Sequence, residues 1–287
     1  MVACPLTFFL CTCPHKDISS EAACGRGTVL REEDMRRIFV PLGQVSDGSI
    51  SVTGDDVKHI RDVLRMRPGD SVTATCGRGV DYHCEIDRIE VEEICLRIIE
   101  ETPDASELPV KISLYQALPK GDKLELIVQK AVELGVYELI PVRTARCVVK
   151  LDEAKAAKKQ IRLQKIAEEA AKQSGRGIVP EILPVMDLSS AVKRAESCDH
   201  IYIPYELCED YALADRLRKG VSEGARSIAV FIGPEGGFES SEVDAVIQAG
   251  GEEISLGHRI LRTETAAIAV LSHLMMTIEG CTDGSIS

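Results

Sequence analysis

The sequence predicts an α/β protein in two parts: a small β-barrel carrying one helix, then a larger domain built on a mostly parallel sheet. Three observations lead there. Residues 36–108 break into short β-rich runs separated by Gly, Asp or Glu. Glu100–Pro109 is polar, holds two prolines and reads as a linker. Beyond it, β-rich runs alternate with amphipathic helical ones, the pattern of helices layered on a parallel sheet.

The elements follow in order. Residues 1–34 hold four of the eleven cysteines and show no helical or strand periodicity. Leu6–Leu10 is apolar, but no basic residue precedes it, so a secretory signal is not expected. The stretch reads as a disordered extension or a product of start-site choice, and Met35 opens what looks like an ordinary beginning. Ser49–Thr53, Ser71–Cys76, Val80–Ile86 and Ile94–Ile99 are the barrel strands. Between the first two, Asp55–Met66 forms a helix with Val57, Ile60 and Leu64 on one face and Lys58, Arg61 and Arg65 on the next. The larger domain, taken as 106–280 after a barrel of 35–105, starts with a strand at Val110–Leu118. The next helix has Asp122 at its N-cap and Glu125 three residues on, a capping-box spacing, and Gly135 ends it. Further strands fit Tyr137–Val142, Glu181–Pro184, His200–Pro204, Ser227–Ile232 and Glu253–Leu256. Further helices fit Asp152–Gln173, Leu188–Glu196, Glu209–Lys219, Ser241–Ala249 and Glu264–Ile278.

Composition limits function. No apolar run reaches the length of a membrane span. The cysteines are scattered with no C-x-x-C pair, which predicts reduced thiols, a cytoplasmic location and no metal site. A net charge of −12 counts against nucleic acid unless positive charge is gathered locally. It is: Pro141–Gly177 holds ten basic and four acidic residues, which points to an anionic partner held at one place.

Two segments carry the chemistry. Phe231-Ile232-Gly233-Pro234-Glu235-Gly236-Gly237-Phe238 leaves a buried strand through a glycine-rich turn, where backbone can approach a ligand. It lacks the Gly-Lys-Ser/Thr of a P-loop and the spacing of a dinucleotide fingerprint. Ser255 to Ala266 joins the last strand to the last helix and places Arg259, Arg262 and Glu264 at the carboxyl edge of the sheet, where open α/β folds bind ligands. Taken alone, the first can be a tight loop, and the second a local Arg262–Glu264 ion pair with Thr263 as a cap.

With these segments the chain resembles the RsmE-type methyltransferases, which methylate N3 of a uridine in 16S ribosomal RNA. The resemblance runs from about Met35 to Ile278. Its carriers are His59-Ile60, Val63-Leu64-Arg65-Met66 with Gly69-Asp70, and Gln129-Lys130-Ala131-Val132-Glu133-Leu134-Gly135. Arg146-Cys147, Gln173-Ser174-Gly175-Arg176, Gly233 to Gly237, and Leu256-Gly257 through Arg262-Thr263-Glu264-Thr265-Ala266 complete it. The resemblance implies a PUA-like RNA-binding barrel, a C-terminal SPOUT α/β domain with a trefoil knot, a homodimer, and S-adenosylmethionine held in the knot. It implies cofactor contacts at Ile203, Pro204, Ile232, Gly233, Gly236, Leu256, Ile260 and Leu261. One departure is Lys172, where the family usually has an acidic residue.

Uracil N3 carries a proton at neutral pH, so a carboxylate base or a cation that stabilises the anion is needed. Arg262 is the candidate for stabilisation, and Glu264 or Glu235 for the base. RNA phosphates are expected at Arg37, Arg65, Arg146 and Arg176, with the small ribosomal subunit as the partner. The related SPOUT enzymes that methylate ribose 2′-O resemble one another in an Asn–Arg motif on the first strand of the knot domain, and this chain, which has no Asn, cannot supply it. A non-catalytic ribosome-assembly factor is the alternative from another class; both cofactor segments argue against it. An unrelated metabolic α/β enzyme leaves the basic segment unexplained.

Overall fold

The computed structural model describes residues 37–282, apart from 78, 105, 150, 207 and 209–212. The expected extension at 1–34 lies outside the described residues. The first part is a six-stranded sheet curled around its own core. Its strands are β1 (Arg37–Phe39), β2 (Val45–Ser46), β3 (Ser49–Thr53), β4 (Ser71–Thr75), β5 (Val80–Ile89) and β6 (Glu93–Pro103), in the order β1-β4-β5-β6-β3-β2. Only β1 and β4 pair in parallel. Period-two alternation turns Ile50, Val52, Ile94 and Leu96 inward, where they meet Ile38, Val57 and Ile60. Register shifts in β5 at His83/Cys84 and Ile86/Arg88 bend the long β5–β6 ribbon.

Two expectations for this part need correction. The helix begins as α1 (Asp55–Lys58) and ends in a single wide turn over His59–Val63, not at Met66. The Leu64 N–H donates to the His59 carbonyl (2.9 Å), the Met66 N–H reaches back to Ile60 (3.1 Å), and Arg65 reverses the chain at φ 52°. The linker is also shorter than expected. β6 continues to Pro103 because Glu101 and Pro103 still pair with Tyr82 and Val80 of β5.

The second part holds seven parallel strands: β7 (Lys111–Ala117), β8 (Glu138–Arg143), β9 (Glu181–Ile182), β10 (Met186–Asp187), β11 (His200–Pro204), β12 (Ser227–Ile232) and β13 (Glu252–Ile254). Their order is β10-β8-β7-β12-β11-β13, with β9 also on β8. One face is covered by α2 (Lys123–Glu133), α3 (Glu153–Ser174), α5 (Leu213–Ser222) and α7 (Thr263–Thr282), around Ile112, Leu114, Leu163 and Val270. The other face is covered by α4 (Leu188–Ala195) and α6 (Ser240–Gln248), around Tyr115, Ile201, Ile203 and Phe231. Near-continuous apolar strands are what burial on both faces demands.

Local chemistry explains the helix ends. Asp152 caps α3 by accepting the Lys155 N–H (2.8 Å), and Gly175 closes it in the left-handed region at φ 69°. The expected cap at Asp122 is not made: its backbone lies at φ −93°, ψ 8°, not extended, so the carboxylate caps nothing. Glu125 instead takes Arg162 of α3 (2.8 Å). Among the described residues no helix is long and apolar enough to cross a membrane, and no cluster of metal-ligating side chains occurs.

Candidate active site

β12 lies between β7 and β11, so its exit loop runs beside the carboxyl ends of β11 and β13. Between these ends is a cavity of about 370 Å³, a size suited to a small organic ligand. Its walls combine the side chains of Ile232, Leu256, Ile260 and Leu261 with the turn at Gly233. That turn is tight: a Cβ on Gly233 would stand 3.2 Å from the Phe238 ring and 3.3 Å from the Gly237 carbonyl carbon. Apolar walls beneath a charged rim suit a small organic ligand with a polar end.

A buried relay fixes this floor. Gln116, at the end of β7, donates to Thr263 Oγ1 (3.0 Å), and Thr263 Oγ1 donates to the Gly233 carbonyl (2.7 Å). The first residue of α7 is thereby tied to the glycine-rich turn. Glu242 of α6 holds the other side, accepting the Glu239 N–H (2.9 Å) and the Ala145 N–H (2.8 Å).

The rim is charged. Lys123, in the first turn of α2, sits 3.0 Å from Glu235 and 3.3 Å from Glu264. Glu235 also accepts the Lys120 N–H (3.0 Å). Burial alone would raise the Glu235 pKa. Its own backbone N–H, that of Lys120 and the Lys123 ammonium outweigh burial and hold it below the usual carboxylate range. Bonding to Glu235 first, and to Glu264, raises Lys123 against its own desolvation. Arg262 lines the same cavity, is exposed, and makes no ion pair or side-chain hydrogen bond among the described residues.

The structure therefore brings most of the expected site together. Pro204, Ile232, Gly233, Leu256, Ile260, Leu261, Glu235 and Arg262 all line the cavity. Five placements differ. Ile203 points into the core beneath α4 and α6, because strand alternation gives the pocket Pro204 instead. Gly236 faces away; its carbonyl accepts Arg146 Nη1 (2.8 Å), and Gly237 takes the lining position. Glu264 stands behind the rim, paired with Lys123 and not with Arg262. Arg37 and Arg176 are internal. Arg37 pairs with Asp81 (2.6 Å) and Asp104. Arg176 is 4% exposed, forked onto Glu107, and donates to the Val132 (3.1 Å) and Val136 (2.7 Å) carbonyls. Arg65 and Arg146 are exposed.

The pattern reading missed Lys123, Gln116 and Thr263 as a set. Lys123 could have been found by the rule that ligands gather where parallel strands end, since it follows β7 directly. Gln116 is the polar residue that interrupts an apolar strand end.

A curled sheet joined to a doubly covered parallel sheet, with a ligand-sized cavity at its strand ends, defines a two-domain α/β enzyme. The chain belongs to the RNA methyltransferase family. A family model described as an RNA methyltransferase domain matches residues 106–275, and one described as an RNA methyltransferase PUA domain matches residues 52–99. The chain is 38% identical to the ribosomal RNA small subunit methyltransferase E of Bacillus subtilis, over 85% of this chain and 98% of that one. The Neisseria gonorrhoeae ribosomal RNA small subunit methyltransferase E, solved bound to S-adenosyl methionine, superposes with a TM-score of 0.69 at 31% identity, over 84% of this chain and 97% of that one. A putative methyltransferase from Legionella pneumophila, solved with bound cofactor SAM, gives 0.67 at 33% identity over 84% and 97%.

Proposed function

We propose that this protein transfers the methyl group of S-adenosylmethionine to N3 of a uridine in 16S ribosomal RNA of the small subunit. The observation that carries this reading is the cavity at the ends of β11, β12 and β13, apolar within and charged at the rim, in a chain of this family. The residues fit the cofactor: Ile232, Leu256 and Leu261 supply apolar walls for an adenine, and the Gly233 turn and Pro204 edge supply backbone polar groups. Bound there, the cofactor supplies an electrophilic methyl on a sulfonium, and no metal is required.

The chain's own residues supply alignment and charge. The Gln116–Thr263–Gly233 relay fixes the floor against which an in-line approach must be set, and such positioning accounts for much of the rate in a displacement. Arg262, a cation at the rim without an internal partner, is placed to stabilise charge spread over O2 and O4 once N3 loses its proton. Glu235 and Glu264 are both engaged by Lys123, which weakens either as a base. Glu235, on the cavity wall, is the better candidate of the two. Arg65 and Arg146, both exposed, remain as the phosphate contacts of this reading.

A homodimer belongs to the same reading. α7 is apolar around most of its circumference, and Met276 remains 66% exposed on the face away from the core. The same reading puts the knot at the exit loops of β12 and β13, and the insertion of β12 between the earlier strands β7 and β11 supports that path. The test is isothermal titration with S-adenosylmethionine, followed by mapping of N3-methyluridine in small-subunit RNA incubated with enzyme and cofactor. Micromolar-range binding that Leu256→Arg abolishes, with one new methylated uridine, is expected. A folded protein that binds no cofactor is instead the assembly factor.

A further inference from the structure

We propose that the outward face of α3 is a phosphate track that carries the RNA strand between the curled sheet and the methyl-transfer cavity. The proposal rests on the RNA methyltransferase reading above and names a surface that reading does not use.

α3 is 22 residues long, about 33 Å at 1.5 Å per residue. Leu163, Ala167, Ala170 and Ala171 form its buried stripe. Lys155, Lys158, Arg162, Lys165 and Lys172 are all exposed, and Lys159 is half-buried beside them. At 100° per residue these six lie within an arc of about 140°, its centre about 135° around the helix from the buried stripe. Glu169 is the one acidic residue inside that arc. Two of the six are neutralised within the chain, Lys155 by Asp152 (2.9 Å) and Arg162 by Glu125 (2.8 Å). Lys158, Lys159, Lys165 and Lys172 have no ion pair among the described residues.

An ordinary solvated helix face mixes both signs, as α5 does with Asp215, Arg216, Arg218 and Lys219. The α3 face sets six basic residues against Glu169 alone, in a chain whose net charge is −12. Its two ends also decide which anion it meets. Just before the helix, Arg146 donates to the Gly236 carbonyl on the loop whose other side lines the cavity (2.8 Å). In its last turn, Lys172 Nζ lies 5.8 Å from the ring centroid of Phe39 in β1. The track therefore starts at the cavity loop and ends on the curled sheet. A polyanion long enough to touch both, with regularly spaced charges, is a nucleic-acid backbone; the family fixes it as RNA.

The experiment compares the full-length wild type with Lys158→Gln/Lys159→Gln/Lys165→Gln/Lys172→Gln. Binding of a fluorescein-labelled small-subunit ribosomal RNA transcript is followed by anisotropy from about 50 to 200 mM KCl. Each lost contact to single-stranded phosphate lowers the slope of log K against log salt by about 0.7, so four remove about 2.8. At roughly 0.1 M salt the same relation makes the loss about fivefold per lysine. S-adenosylmethionine affinity should be unchanged, which shows an intact fold and cavity, and the quadruple Lys→Arg variant should keep the wild-type slope. A Gln variant with wild-type slope and affinity overturns the track while leaving the methyltransferase reading in place. A wild type that binds cofactor but neither binds nor methylates any RNA overturns that reading and the track with it.

Discussion

Arg176 separates the pattern reading from the structural one. The sequence reading expects it at an RNA phosphate; in the structure it is a buried brace. Its Nε and Nη2 fork onto the two Glu107 oxygens, and its Nη1 serves the carbonyls of Val132 and Val136 at the end of α2. Glu107 Oε1 also accepts the Ile178 N–H (2.9 Å). Arg176→Ala removes four donated hydrogen bonds, leaves a carboxylate with 13% exposure facing a void, and strips a cation from a helix C-terminus. Removing one partner of a buried pair costs about 3–5 kcal/mol. For a domain of this size each kcal/mol moves Tm by about 2–4 °C, so a fall of roughly 6–20 °C is expected. Arg176→Met/Glu107→Leu removes both charges and should recover much of that loss. Thermal unfolding followed by far-UV circular dichroism reads both. If Arg176→Ala keeps the wild-type Tm within about 2 °C and loses RNA affinity, the brace is wrong and the RNA role is right.

Other consequences are as direct. Arg262→Ala should lower kcat by about 10²–10³, the usual cost of a lost electrostatic stabiliser, with cofactor affinity intact; full turnover in a single-turnover assay would remove Arg262 from the chemistry. Lys123→Met should free Glu235 from its cation and raise its pKa. The present depression keeps Glu235 ionised, and its bonds intact, from above the ordinary carboxylate pKa down to its lowered one. The acid limb of the pH–rate profile should therefore move to higher pH, and Lys123→Arg should restore it; an unmoved limb denies the coupling. Burial pushes the Cys84 thiol up to about 12, so iodoacetamide at pH 8 should leave it unlabelled in the native protein and label it in urea. Labelling at the rate of an exposed thiol would contradict its packing in the curled sheet.

Much of this architecture is legible in the sequence because period-two and helical patterns report burial directly. β12 was recognisable from the apolar run that ends at Gly233 and β13 was expected within a residue or two of where it falls, and the segments that follow them supply most of the cavity walls. α3 was legible to within a residue at each end, expected at Asp152–Gln173 and found at Glu153–Ser174. What stayed hidden depends on partners distant in the chain. The Asp122-x-x-Glu125 spacing fits a capping box, yet Glu125 is taken by Arg162, 37 residues away. Arg176 and Arg37 look like surface cations until Glu107, Asp81 and Asp104 are brought to them. Ile203 and Gly236 each missed the cavity by one residue, because alternation and loop direction are set only when strands pair.

The acidic residues of the presumed linker show why that hidden layer matters for function. Asp104 takes Arg37 of β1, and its Oδ1 accepts the N–H and hydroxyl of Ser106, whose hydroxyl oxygen accepts the Gly177 N–H. Glu107 takes Arg176 just after α3. Gly177 must be glycine here, since any Cβ would overlap the Asp104 carboxylate. The Gly79 N–H, from the β4–β5 turn, donates to the Gly177 carbonyl (3.2 Å). A segment that reads as a flexible tether is thus a clasp, with strand β6 entering it and the end of α3 closing it. A tethered barrel would sample many positions and lose binding energy to ordering at each encounter with RNA. A clasped one holds the curled sheet and the cavity at a fixed separation.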